Sequence, residues 1–154
     1  MNTNEILANL EAIKQLKYTY LRYLDLKKWK EMESLFTPDI ISSYADGDHA
    51  YAGRKAVIGF LEKSLSHPRI ITKHQVHHPE IALNEKGDKA TGIWYLTDLV
   101  INRIGEHEGK AIPEFTLHGT AFYHDEYVKV ENQWKISRIG YERVFEEIID
   151  RTTG

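Results

Sequence analysis

The first part of the chain has apolar residues at helical spacing. In residues 5–28 they recur every three or four positions and form one stripe. Its members are Ile6, Leu10, Ile13, Leu16, Tyr20 and Leu24. A second helix is predicted over residues 29–36, ending before Thr37-Pro38, and a third over residues 54–65. Between them, IISSYADGDHAYAG has β-rich ends around ADGD, which predicts a hairpin.

Beyond residue 68 the hydrophobic period changes to two, which is typical of half-buried strands. Strands are predicted over residues 69–76, 79–84, 89–103, 114–130 and 133–145, with turns at 84–88, 104–110 and 131–133. Helices followed by long antiparallel strands predict a single α+β domain, residues 1–154, with helices on one face of a curved sheet. Such a sheet leaves a cone-shaped cavity where a small ligand would bind.

Strand alternation predicts which polar side chains point into that cavity. In RIITKHQV, His74 shares a face with Ile70 and Val76. In TGIWYLTDLVIN, Asp98 shares a face with Trp94. A carboxylate in such apolar surroundings needs a partner and is seldom kept for packing alone. His74 and Asp98 are therefore candidates for chemistry.

Other candidates are less directly placed by the pattern. His118 and Phe122 share a face in FTLHGTAFYH, but both faces of that segment are apolar and alternation does not choose between them. Tyr20 lies within the helical stripe, and Asp25 lies just off its centre, where it can reach a pocket mouth. Buried Tyr and His are also ordinary core residues, so each of these has a purely structural alternative.

The run KHQVHHPE, residues 73–80, contains three histidines but does not have the spacing of a metal site. Only His74 and His78 share a strand face, and a proline follows directly. There is no cysteine and no HExxH, so the sequence predicts no bound metal. Proton transfer is favoured instead, because imidazole has an unperturbed pKa of about 6.5.

Charge and composition exclude several classes of protein. The formal net charge of −3 gives no basic surface for nucleic acid. No apolar run approaches the length of a membrane span, and the first 18 residues lack the features of a signal peptide. The sequence thus predicts a cytoplasmic protein that binds neither nucleic acid nor membrane.

Several segments resemble the SnoaL-like branch of the nuclear-transport-factor-2-like superfamily, over about residues 11–150. They are AIKQLKYTYLRYLDLKKWKEMESLFTPDIISSY, TKHQVHHPEIAL, ATGIWYLTDL, GTAFYHDEYVKVENQWKI and GYERVFEE. The resemblance is greatest to bile-acid 7α-dehydratases and more distant to scytalone dehydratases. It implies a cystatin-like α+β barrel with a deep pocket, no cofactor, and assembly into a homodimer or homotrimer.

The resemblance also implies roles for particular residues. Tyr20 and His74 match the tyrosine and histidine that carry the elimination in the bile-acid enzymes, and Asp25 and Asp98 match their acidic residues. Arg143 matches the arginine of GYxR. His118 lies on the strand where scytalone dehydratases have a second histidine, and Tyr44 matches one of their tyrosines. Substrate contacts are expected from Tyr44, Trp94, Phe122 and Arg143.

The predicted reaction is loss of water from a hydroxylated ketone in a steroid- or polyketide-like ring system, through an enolate. His74 would act as base, Asp25 or Asp98 would orient it, and Tyr20 or His118 would supply a proton. The substrate is expected to be apolar and polycyclic or aromatic, either free or as a coenzyme A thioester. Two alternatives stay open: a ketosteroid-type double-bond isomerase, and a protein that binds a hydrophobic ligand without catalysis.

Overall fold

The structure, a computed structural model, describes residues 1–152. The helices are α1 (Thr3–Asp25), α2 (Trp29–Met32) and α3 (Arg54–Leu65), with 3-10 turns at Glu33–Leu35 and Ala45–Gly47. The strands are β1 (Phe36–Tyr44), β2 (His49–Ala52), β3 (Ile70–Leu83), β4 (Lys89–Asn102), β5 (Gly105–His107), β6 (Lys110–Ile112), β7 (Phe115–Val130) and β8 (Gln133–Asp150).

Helix α1 begins at a capping box. The Asn2 side chain accepts a hydrogen bond from the Glu5 amide, and the Glu5 carboxylate accepts one from the Asn2 amide. This satisfies two backbone donors that would otherwise be unpaired. The face that α1 buries carries the predicted Ile13, Tyr20 and Leu24, and also Lys17. A lysine therefore occupies a core position of the stripe.

Six strands form one curved mixed sheet in the order β2-β1-β8-β7-β4-β3. Neighbours are antiparallel except β1 and β8, which are parallel. The helices pack against the concave face, and the predicted cone-shaped α+β fold is confirmed. Strands β5 and β6 form a separate small hairpin where only a turn was predicted.

Two predicted boundaries are wrong. The strands expected at 69–76 and 79–84 are one strand, β3, which continues past Pro79 through an irregularity between His77 and Glu80. Proline is tolerated there because β3 is the edge of the sheet. The second helix ends at Met32, and β1 begins at Phe36, before Thr37-Pro38 rather than after it.

The core lies between the helices and the concave face of the sheet. Its fully buried members include Ile13 and Met32 from the helices, and Trp94, Leu96 and Ile136 from the strands. Within residues 1–152, no helix has both the length and the apolar character needed to cross a membrane.

Candidate active site

Asp25 and His74 form a hydrogen-bonded pair between the end of α1 and the middle of β3. The Nδ1 atom of His74 lies 2.6 Å from Oδ1 of Asp25. The same carboxylate accepts hydrogen bonds from the His74 amide at 2.9 Å and from the Thr72 hydroxyl at 2.7 Å. Three contacts therefore fix the carboxylate on β3, and through it the orientation of the imidazole ring.

This pair is accessible from outside. The side chains of His74 and Asp25 are 11% and 23% exposed, respectively. His74 occupies the strand face that also carries the buried Ile70, while Lys73 and Gln75 on the opposite face are exposed. The predicted inward orientation of His74 is confirmed, and the ring lies at the rim of the concave face rather than deep in the core.

Asp98 lies beside His74 but binds a different partner. The two residues are paired across β3 and β4, an arrangement that brings Cβ atoms to within about 5 Å. Asp98 accepts two hydrogen bonds from Arg143 of β8, at 2.6 Å and 2.8 Å. Of the two carboxylates that the sequence offered to orient His74, Asp25 therefore makes the contact, and Asp98 instead holds Arg143.

Arg143 keeps its positive charge although it is partly buried. Burial alone would lower the pKa of Arg143, but hydrogen bonding and charge attraction to Asp98 raise it above its ordinary value. The guanidinium also lies 4.8 Å from the ring centroid of Tyr141. A fixed positive charge thus lies close to the Asp25–His74 pair.

Gly119 makes room for this arrangement. It is the β7 residue opposite Asp98, and a Cβ at this position would lie 2.2 Å from a terminal nitrogen of Arg143 and 2.4 Å from Oδ1 of Asp98. A side chain would displace the ion pair. Sequence reasoning missed Gly119, although a glycine inside a strand is a recognised sign of close approach by another group.

Tyr20 lies deeper than His74, in a group of aromatic side chains. Its hydroxyl lies 3.3 Å from that of Tyr44, and its ring contacts Tyr123 edge-on at 6.5 Å. Burial raises the pKa of Tyr20 and of Tyr44 well above the ordinary value, so both phenols stay protonated. Tyr20 and Tyr44 therefore lie in the interior as predicted, as hydrogen-bonding groups without charge.

A second ion pair, which the sequence analysis missed, lies behind Tyr20. The Lys17 ammonium is 2.7 Å from Oδ2 of Asp125 on β7, and neither side chain has any exposed surface. The ammonium also lies 3.4 Å from the ring centroid of Tyr123. Burial lowers the pKa of Lys17 and raises that of Asp125, each opposed by attraction to the other. The pair connects the middle of α1 to the sheet.

Asp125 extends this contact to Trp94. Tyr127 donates a hydrogen bond to Oδ2 of Asp125 at 2.7 Å, and the Trp94 indole donates one to the Tyr127 hydroxyl at 2.9 Å. Trp94 faces inward as predicted but is completely buried. Its described polar contact is therefore part of the protein's own interior network.

His118 and Phe122 do not lie on the concave face, and their inclusion in the same pocket was wrong. The inward positions of β7 are Gly119, Ala121 and Tyr123, so the alternating residues face outward. His118 borders an outer groove together with Lys73 and Thr97, and Phe122 stacks on Tyr95 at 4.7 Å. The apolar residues on both faces of β7 explain why alternation could not decide.

His77 and His78 are exposed and near Tyr95. In the part of the chain that the structure describes, no three His, Asp or Glu side chains come together as metal ligands would.

The chain belongs to the SnoaL-like domain family, whose profile matches residues 5–140. The family resemblance seen in the sequence is thereby confirmed, and the matched range includes Asp25, His74 and Asp98 but ends before Arg143.

Solved structures show the same fold. A scytalone dehydratase-like protein from Novosphingobium aromaticivorans is 25% identical, with a TM-score of 0.76 over 95% of this chain and 91% of that chain. A type 2 hexachlorocyclohexane dehydrochlorinase is 19% identical, with a TM-score of 0.77 over 96% and 93%. ActVI-ORFA from Streptomyces coelicolor is 15% identical, with a TM-score of 0.68 over 88% and 96%. Two of these three proteins, the scytalone dehydratase-like protein and the dehydrochlorinase, are named for elimination reactions.

Proposed function

We propose that this protein is a cofactor-independent dehydratase that removes water from a hydroxylated ketone by acid–base catalysis. The observation that carries the proposal is the Asp25–His74 pair, in which Nδ1 of His74 contacts Asp25 while Nε2 has no hydrogen-bond partner within residues 1–152. The comparisons support the reaction class, since a dehydratase and a dehydrochlorinase both break a C–H bond and the bond to a leaving group.

The contact with Asp25 selects the tautomer of His74. An ionised carboxylate only accepts hydrogen bonds, so the 2.6 Å contact requires the proton on Nδ1. The lone pair of Nε2 is then available to take a proton from the substrate. Asp25 also stabilises the imidazolium that forms, and its bonds from Thr72 and the His74 amide keep it in place.

The elimination balances without any external reagent. Nε2 of His74 takes the proton from the carbon next to the ketone, and the electron pair of that C–H bond forms an enolate. The enolate then collapses, its electrons form the new C=C bond, and the C–O bond to the hydroxyl breaks. The leaving hydroxyl takes the proton that the His74 imidazolium now carries, directly or through Tyr20, and departs as water, which leaves His74 neutral again.

Two groups are suited to the oxygen atoms of the substrate. Tyr20 is protonated and buried, so it can donate a hydrogen bond to the enolate or a proton to the leaving hydroxyl. Arg143 is positively charged and is held beside His74 through Asp98. A preorganised donor at an enolate oxygen contributes about 10²–10³-fold.

The surroundings favour a flat, apolar substrate. Tyr20, Tyr44, Tyr123 and Tyr141 surround the interior with aromatic rings, which suits a steroid- or polyketide-like ring system. Because Tyr20 and Tyr44 are almost fully buried, a substrate of this size must move neighbouring side chains aside on entry. Phenol donors further favour a substrate with acceptor oxygens.

The test is incubation with hydroxylated ring ketones, free and as coenzyme A thioesters, in deuterated solvent. Formation of a conjugated ketone with loss of one water, followed by absorbance and mass spectrometry, is the expected result. Deuterium incorporation without loss of water would indicate an isomerase instead. Binding with neither change would indicate a ligand-binding protein, and either outcome would overturn the dehydratase.

The proposal includes a metal-free homo-oligomer, a dimer or trimer. Elemental analysis of the active protein is expected to give well under one equivalent of zinc, iron or copper per chain. Light scattering after size exclusion measures the number of chains. One tightly bound metal equivalent that is needed for turnover would contradict the mechanism, because no step above uses a metal.

A further inference from the structure

We infer that the buried Lys17–Asp125 pair positions Tyr20 for the reaction. This inference rests on the proposed function, and it assigns a role to two residues that do not touch the substrate in that mechanism. They are positioning residues.

The pair is not explained by stability. Both side chains are completely buried. The free-energy cost of removing two charges from water usually cancels the gain from their electrostatic attraction. Burial shifts the pKa of both residues toward their neutral forms, even with the partner 2.7 Å away. One oxygen of Asp125, Oδ1, has no hydrogen-bond partner among the described residues. Well-packed apolar side chains would fill this place at least as favourably.

The location of the pair gives it a function. Lys17 lies three residues before Tyr20 on α1, one turn away on the same face. Its ammonium lies 5.2 Å from the ring centroid of Tyr20 and 3.4 Å from that of Tyr123. Tyr123 in turn contacts Tyr20 edge-on. The ammonium therefore fixes the position of the Tyr123 ring, against which the Tyr20 ring packs.

The pair also fixes α1 against the sheet. Lys17 binds β7 in the middle of the helix, and Asp25 binds β3 at its end. Tyr20 lies between these two contacts, so neither sliding nor rotation of α1 can move its hydroxyl without breaking one of them. Apolar packing alone would permit such a shift, because it is not directional.

The test uses the double variant Lys17→Met/Asp125→Asn. It removes both charges and keeps an acceptor for the Tyr127 hydroxyl. The matched control is Arg138→Met/Glu126→Gln, which removes an exposed ion pair next to Asp125 in sequence. The readout is the NMR spectrum of protein with ¹³C-labelled tyrosine rings, in which the Tyr20 signal is assigned from Tyr20→Phe.

The double variant is expected to fold, to shift the Tyr20 resonances, and to leave the nitrogen resonances of His74 unchanged. The control should move neither set. With a substrate that is turned over, kcat and kcat/KM should fall together by about 10- to 100-fold, which is the loss expected from a small misplacement of a catalytic group.

Unchanged Tyr20 resonances in the folded double variant would overturn the inference. If that variant does not fold, Lys17→Arg replaces it, because its bulkier head keeps the charge and disturbs the contact with Tyr123; unchanged Tyr20 resonances there would overturn the inference equally. Failure of the wild type to eliminate water would defeat the proposed function, whereas the NMR result does not depend on turnover.

Discussion

Helix α1 carries two ionisable residues that bind partners on the sheet in different surroundings. Asp25 binds His74 at the rim, where both side chains keep some exposed surface, and Lys17 binds Asp125 where neither has any. The two helix positions are eight residues apart, about 12 Å along the axis. Both pairs join α1 to the sheet at about the same distance, 2.6 Å and 2.7 Å.

Access, rather than the strength of the contact, separates their roles. Nε2 of His74 has no partner among the described residues and can exchange protons with a substrate, so its pair is suited to chemistry. Lys17 can exchange a proton only with Asp125, and its pair is suited to holding the helix. The comparison therefore predicts that changes at the rim affect turnover, while changes at the interior pair affect stability as well.

The largest expected effect is on turnover, from His74→Ala. Loss of the general base should lower kcat by about 10²–10⁴-fold and leave the circular dichroism spectrum unchanged, because the side chain lies at the rim. The control is His77→Ala on the same strand, which is exposed and should retain activity. If purified His74→Ala kept most of its turnover, the base would be another residue.

Lys17→Met should produce the largest loss of stability. Asp125 would be left as a buried charge without a counterion, a change that costs about 3–5 kcal/mol in the free energy of unfolding. Urea unfolding measures it. Arg138→Met breaks an exposed pair with Glu126 and should cost at most about 1 kcal/mol. Equal losses of unfolding free energy in Lys17→Met and Arg138→Met would contradict this prediction, because burial of the Lys17 pair would then make no difference to stability.

Tyr20→Phe should reduce turnover by about 10²–10³-fold with a small effect on stability. The lost contact with Tyr44 is long, 3.3 Å, and removal of a typical hydrogen bond costs about 0.5–1.5 kcal/mol. Steady-state kinetics and thermal unfolding measure the two effects. Tyr18→Phe on the exposed side of α1 is the control. A comparable loss of activity and stability would make Tyr20 a structural residue.

The smallest effect concerns pH. Because the pKa of Asp125 is raised from 3.8 in the folded state, the folded state binds more protons above pH 3.8, and stability falls as the pH rises through that window. Because the pKa of Lys17 is lowered from 10.5, the unfolded state binds more protons just below pH 10.5, and stability rises there with pH.

We therefore compare the unfolding free energy of the wild type with that of Lys17→Met/Asp125→Asn. The value for the wild type minus that for the variant should be smallest at intermediate pH, between the Asp125 window and the Lys17 window. Urea titrations from pH 4 to 10 measure this difference. A maximum at neutral pH instead would mean that attraction between the two charges outweighs their burial.

The sequence predicted the fold well because its signals are periodic. Apolar stripes and alternation located the helices and placed His74 and Asp98 on the concave face. Alternation failed for His118 because both faces of β7 carry apolar residues, one packed in the core and the other on the outer side. Lys17 and Asp125 were not predicted to be buried, although both lie on buried faces. The hydrophobic pattern is defined by apolar residues, so a charged residue at a core position is not recognised as part of it.

The sequence also could not predict which carboxylate of the site binds which partner. Asp25 and Asp98 were equivalent candidates to orient His74, and only the three-dimensional path of α1 and β8 assigns Asp25 to His74 and Asp98 to Arg143. Gly119 could have been recognised as a position of close approach, but the guanidinium that approaches it belongs to Arg143, 24 residues later in the chain.

The parallel pairing of β1 with β8 has a consequence for synthesis of the protein on the ribosome. Residues Ile41–Ser43 pair with Arg138–Gly140, so β1 and its hairpin partner β2 emerge long before the strand that completes them. Contacts of such separation in sequence form late and slowly. Until β8 is made, the growing chain exposes the open edge of β1, and an unpaired strand edge is a surface on which another chain can pair.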